Sequence, residues 1–224
     1  MNNIPRTILR LAPILGAALL GSTPPIAHAA DNASGSYLTV NGGSSIVPDV
    51  TGTASGVTAT VNFSSGYTVG LTAGYPLYAT DAYSLSGGGN WALNAELETA
   101  YIYNTFDSVS VLGVSFASGG HLRQIPVLAN LVMTYNITDK WSAYCGLGGG
   151  ISFIDLHVNS IGPIPVGFSN SETDGVIQAK IGLRYSLSDH SEVGIGYKYQ
   201  NVLNTSYGTD VETHLFLLEF NWSF

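Results

Sequence analysis

From residue 37 onward the chain alternates between apolar and polar side chains with a period of two, the spacing that puts successive residues of an extended strand on opposite faces. The alternation is densest at the end. There Phe216, Leu218, Phe220, Trp222 and Phe224 share one face and Glu219, Asn221 and Ser223 the other. Eight such segments are predicted, over 37–46, 67–77, 91–103, 125–136, 141–153, 176–187, 192–201 and 215–224. In the second, Val69, Leu71, Ala73 and Tyr75 oppose Thr68, Gly70, Thr72 and Gly74, a small set suited to the inside of a narrow barrel. In the third, Leu93, Ala95 and Leu97 oppose Asn94, Glu96 and Glu98; two acids on an inward face are costly for a soluble core. The fourth sets Val127, Ala129, Leu131, Met133 and Tyr135 outward and Asn130, Thr134 and Asn136 inward. Gly146, Gly148 and Gly150 share one face of the fifth and are expected to open space inside a closed sheet or let it bend. The sixth sets Ile177, Ala179, Ile181, Leu183, Tyr185 and Leu187 against Gln178, Lys180, Gly182, Arg184 and Ser186. The seventh sets Val193, Ile195, Tyr197 and Tyr199 against Gly194, Gly196, Lys198 and Gln200.

Segments of this length match the ~9 to 11 residues that a tilted strand needs to cross a bilayer core. Tyr37, Tyr67, Trp91, Tyr101, Tyr135, Trp141, Tyr185, Tyr199 and Trp222 lie near segment ends, as interface girdles do. Short connections at 138–140 and 188–190 are assigned to the inner side of a membrane. Long ones at 47–66, 104–122 and 155–173 are assigned to the outer side. The connection 78–89 is discordant, too long for an inner turn, and implies either a small insertion or a register slip of one strand.

Composition excludes other classes. Hydrophobic residues make up 45% and charged ones 10% of the chain, which rules out disorder. Beyond residue 30 no run approaches the ~20 apolar residues of a membrane helix, so a membrane location requires a barrel. Arg6 and Arg10, an apolar stretch over 11–20 interrupted by Pro13, and Ala27-His28-Ala29 together predict a cleaved export signal over 1–30, leaving 31–224 as one barrel domain. Two of the seven basic residues lie in that leader and none of the fifteen acids does, so the remainder has a formal charge of −10, unsuited to nucleic acid. Cys145 is alone, which excludes an intramolecular disulfide.

Gly66-Tyr67 leading into Val69-Gly70-Leu71-Thr72-Ala73-Gly74-Tyr75, the stretch from Trp141 through Tyr144 to Gly148, Gly182-Leu183-Arg184-Tyr185, Gly194-Ile195-Gly196-Tyr197-Lys198-Tyr199, and the closing Phe220-Asn221-Trp222-Ser223-Phe224 carry a resemblance by their order and spacing. With them the chain resembles the eight-stranded outer-membrane β-barrel family that includes OmpA-like, OmpX-like and opacity-type surface proteins. The resemblance implies an all-β fold, an eight-stranded antiparallel transmembrane up-and-down β-barrel in the outer membrane, in contact with membrane lipid and lipopolysaccharide. It further implies that Phe224, with Phe220 and Trp222, is the signal read by the barrel-assembly machinery. Family members divide among structural anchors, small pores and adhesins. The alternative architecture is a soluble periplasmic β-sandwich or lipocalin-like barrel, with the aromatic stripe inward and Lys180, Arg184 and Glu219 on its surface.

Little in the sequence suggests catalysis. The glycines at 146–150 lack the Gly-Lys-Ser/Thr ending of a phosphate loop. His190-Ser191-Glu192 falls at a predicted turn, where adjacent residues point apart, and reads as a polar turn. His121, His157 and His214 have no ligand spacing, so neither metal nor cofactor is expected. Two candidate features remain. Glu96, Glu98 and Glu219 face the same interior as Lys180, Arg184 and Lys198 and are expected to pair across a lumen barely wide enough for side chains, as a plug or as a gate. Val111, Leu112 and Phe116 in the 104–122 loop, with Ile161, Ile164 and Phe168 in the 155–173 loop, are apolar candidates for contact with a host or surface ligand. The expected protein is a monomeric, non-enzymatic barrel with a structural or adhesin-like surface role. A narrow porin-like ion channel is the alternative.

Overall fold

The computed structural model describes residues 35–54, 57–80, 91–111, 114–161, 164–203 and 210–224. Its strands are β1 (Tyr37–Ile46), β2 (Val50–Ala54), β3 (Val57–Phe63), β4 (Gly66–Thr80), β5 (Trp91–Val111), β6 (Val114–Asn136), β7 (Trp141–Ile161), β8 (Ile164–Ser188), β9 (Ser191–Val202) and β10 (Val211–Ser223). Eight of them close a ring of antiparallel neighbours in the order β1, β4, β5, β6, β7, β8, β9, β10, with β10 returning to β1 through Tyr37 opposite Ser223. Closure leaves the eight-stranded ring without an unpaired edge. β2 and β3 form an extra hairpin that lies along the far end of β5, with Ala59 opposite Val111 and Phe63 opposite Phe106.

Two expectations about the connections need correction. The stretches 104–122 and 155–173 are strand rather than loop over almost their whole length, since β5 and β7 run on to Val111 and Ile161 before β6 and β8 begin. Once a hairpin is paired, each further step adds ladder bonds without a new closure cost, and the β-branched and aromatic residues Val109, Val111, Val114 and Phe116 favour it. The stretch 47–66 likewise holds the β2–β3 hairpin. At the other end β4 continues to Thr80 with a register irregularity between Pro76 and Tyr78, where proline has no N–H to donate. The rest of the discordant connection, 81–90, and the predicted leader lie outside the described residues.

The barrel is apolar outside and polar inside. Leu218 is 70% exposed and its neighbour Glu219 only 7%, which overturns the lipocalin-like alternative with the stripe turned inward. On β6 the outward residues from Ile125 to Tyr135 are all apolar. The ten steps from Ile125 to Tyr135 at ~3.3 Å each, tilted by roughly 40°, give a band about 25 Å tall. The tight turns at 137–140 and 189–190 lie at one end of it and the long hairpins at the other.

Candidate functional site

Strand parity sets which side chains enter the lumen. On β5 the buried positions are Asn94, Glu96, Glu98, Ala100, Ile102, Asn104 and Phe106. On β8 they include Gln178, Lys180 and Arg184, and on β9 Lys198 and Gln200. Lys180 and Lys198 are directly opposed on adjacent strands, a juxtaposition of like charges that destabilises unless carboxylates intervene. The carboxylates come from β5, on the far side of the ring. Glu98 accepts from Lys198 Nζ at 2.7 Å and Lys180 Nζ at 3.5 Å, and also from Asn130 at 3.0 Å and Gln178 at 3.2 Å. Glu96 accepts from Lys180 Nζ and from the Tyr37 hydroxyl at 2.6 Å. Gln200 donates to Gln178 Oε1 at 2.7 Å and extends the network.

Arg184 occupies the next layer toward the tight turns. Its guanidinium lies 4.4 Å from the Tyr144 ring centroid and 5.8 Å from that of Tyr37, while its Nε stands 3.7 Å from Glu219 Oε2, a Coulomb contact longer than a hydrogen bond. The other oxygen of Glu219 accepts from Tyr144 Oη at 2.8 Å. Glycines make room for these rings. A β-carbon on Gly182 would sit 2.5 Å from the Tyr144 ring, one on Gly196 2.5 Å from its hydroxyl, and one on Gly74 would run into Tyr37. Gly148, in the run that the sequence suggested would open space, leaves room for Asn130.

Six charged residues are buried among the described residues: the three cations Lys180, Arg184 and Lys198, and the three carboxylates Glu96, Glu98 and Glu219. The layer is therefore formally neutral. Toward the long hairpins it is followed by apolar packing. Ala100, Ile102, Leu215 and Leu217 form one cluster, and Val47, Leu122, Leu128, Ile154, Val176, Val202 and Val211 a second. These residues were missed as interior, yet a signal existed, since Leu215 and Leu217 share the parity of Glu219. Tyr37 is a correction of another kind. It was assigned to the interface girdle but points inward and is 4% exposed. At a strand end sequence position cannot separate girdle from lumen, and here the hydroxyl finds Glu96.

The other candidates fall as follows. Phe220, Trp222 and Phe224 are exposed on the outer face of the barrel. Val111 ends β5, Ile161 ends β7, Ile164 begins β8, and Phe116 and Phe168 lie within β6 and β8, so all five are hairpin strand residues rather than loop residues. Phe116 is exposed and Val111 half-buried, whereas Leu112 lies outside the described residues. The His190-Ser191-Glu192 trio does not assemble. Ser191 bonds the Ser188 hydroxyl at 2.7 Å, and Glu192 accepts from Asn221 at 3.0 Å and Ser186 at 3.3 Å.

The family model of the outer membrane protein beta-barrel domain matches residues 14–224. No curated protein matches the sequence. Among solved structures the chain is similar to Neisserial surface protein A, with 12% identity and a TM-score of 0.50 over 85% of this chain and 98% of that one. It is also similar to OprG from Pseudomonas aeruginosa, with 15% identity and a TM-score of 0.48 over 85% of this chain and 97% of that one. For Ail of Yersinia pestis the identity is 12% and the TM-score 0.43, over 85% of this chain and 99% of that one. At such identities the likeness is one of fold.

Proposed function

This chain belongs to the outer membrane protein beta-barrel domain family, and from that premise we propose that it is a closed, non-enzymatic scaffold of a Gram-negative outer membrane that holds extended β-hairpins outside the cell for contact with a surface ligand. The observation that carries this proposal is the lumen. Among the described residues its buried charges cancel three against three, and two apolar clusters follow them toward the hairpins. A conducting passage needs a continuous wetted path, which an apolar constriction interrupts. Here the space is occupied by side chains whose opposite charges pair across it, as in other barrels of this size. The material left for recognition is the hairpins β2–β3, β5–β6 and β7–β8 beyond the apolar band.

Conductance tests the scaffold against the porin-like alternative. The refolded wild-type chain in a planar bilayer is expected to give no current steps above the bare membrane. A steady ion-selective conductance would replace the scaffold with the pore.

Orientation and assembly have their own test. Three of the five basic residues beyond the leader are buried in the lumen, and Arg123 lies within β6, paired to Asp155. Trypsin added to intact cells is therefore expected to leave the chain whole, and to cut after Lys140 in its exposed turn once the cells are permeabilised. Cleavage there in intact cells would invert the topology. In the same fractions the protein is expected to lack residues 1–30, and deletion of Phe224 is expected to lower its outer-membrane level. Retention of the leader removes the export-signal assignment, and an unchanged level after that deletion removes the assembly-signal role.

A further inference from the structure

On the outer wall, just beyond the apolar band, four rings form a ladder across four neighbouring strands. Tyr67 of β4, Tyr103 of β5, His121 of β6 and His157 of β7 follow one another with centroid separations of 5.5, 5.2 and 5.5 Å and interplanar angles of 29°, 24° and 18°. His121 and His157 are directly opposed on antiparallel strands and both half-buried. We propose that these two imidazoles form a binding site for a divalent transition-metal ion of the Cu²⁺, Ni²⁺ or Zn²⁺ class.

Reach and chemistry both favour it. A metal lies ~2.0 to 2.1 Å from an imidazole nitrogen, hence about 3.2 Å from the ring centroid, so rings 5.5 Å apart are within reach of one shared ion once both turn out of their stack to aim a nitrogen at it. The backbone ladder fixes the two Cβ positions opposite each other, so binding orders only the side-chain torsions of the two rings. Asp155, one step nearer the membrane on the same face, is held by Arg123. Among the described residues no third histidine, cysteine or carboxylate completes a cluster, so the remaining coordination positions open to water. Two neutral nitrogens select late transition metals, Cu²⁺ tightest, over the oxygen-seeking Mg²⁺ and Ca²⁺. The site is independent of whether the lumen is closed. It escapes sequence inspection because the pair is made by register across two strands.

The test is Cu²⁺ titration of the untagged chain, purified from outer membranes in detergent and followed by electron paramagnetic resonance. One equivalent is expected to bind with hyperfine structure from two equatorial nitrogens, and excess Mg²⁺ should not displace it. His121→Phe keeps a ring in the ladder and loses the ligand, and should weaken binding at least ~10-fold. His157→Phe tests the same site from the other strand, with heat-shifted gel mobility as the check that each barrel has closed. His214→Phe should titrate like wild type, since that imidazole accepts or donates a 2.7 Å bond with Tyr197 elsewhere on the wall. Absence of the two-nitrogen signal, displacement by Mg²⁺, or wild-type titration of closed His121→Phe or His157→Phe barrels would overturn the proposal.

Discussion

Glu98→Ala is expected to unfold at a distinctly lower urea concentration than wild type, with a loss of about 3 to 5 kcal/mol, the range for breaking a buried pair from one side. The size follows from what the carboxylate holds. It accepts from two ammonium groups and two amides, and its own side chain is 1% exposed. Lys180 would keep Glu96, but Lys198 would be left 2% exposed with no carboxylate among the described residues to pair with it. An uncompensated ammonium at that depth must draw in water or give up its proton, and either weakens the fold. Glu98→Gln preserves the shape and part of the amide bonding, so it is expected to fall between the two. Conductance should remain near zero in both variants, because the apolar clusters lie farther along the lumen. A Glu98→Ala midpoint indistinguishable from wild type would mean that the network contributes nothing to stability.

Leu147→Arg is expected to destabilise the barrel in lipid by roughly 2 to 4 kcal/mol, the cost of a cation at the bilayer midplane on the outer face of a barrel. Leu147 is 71% exposed to its surroundings, and in a water-soluble protein the same change would be nearly neutral. It lies on β7 within the apolar band, with Leu131 and Ala179 as its cross-strand neighbours, both facing outward. Asn159→Arg, on the same strand but beyond the band, should have little effect. Urea titration of both variants in the same lipid vesicles makes the comparison, and equal stability of Leu147→Arg and wild type would move β7 off the lipid face.

Most of the barrel was legible because the period of a strand is two and each span is amphipathic. Parity alone sorted Glu96, Glu98, Lys180, Arg184, Lys198 and Glu219 from the aromatic stripe of β10, and these six side chains are buried while Phe216, Phe220 and Trp222 are exposed. Parity does not say where a strand stops. The ladders of β5–β6 and β7–β8 continue through what looked like loops, since pairing between two strands, rather than the hydrophobicity of one, decides length. Nor does parity separate a girdle tyrosine from a lumen tyrosine at a strand end, as Tyr37 demonstrates. Partner choice lay furthest from the sequence. That Glu98 meets Lys198 and Lys180 across the ring, that Tyr144 settles over Gly182 and Gly196 beside Arg184, and that His121 stands against His157 all depend on the stagger with which eight strands close. The sequence by itself determined the two faces of each strand, because they follow from local backbone geometry. Only the tertiary structure decided depth and pairing, because both are set by register around a closed sheet, to which every strand contributes.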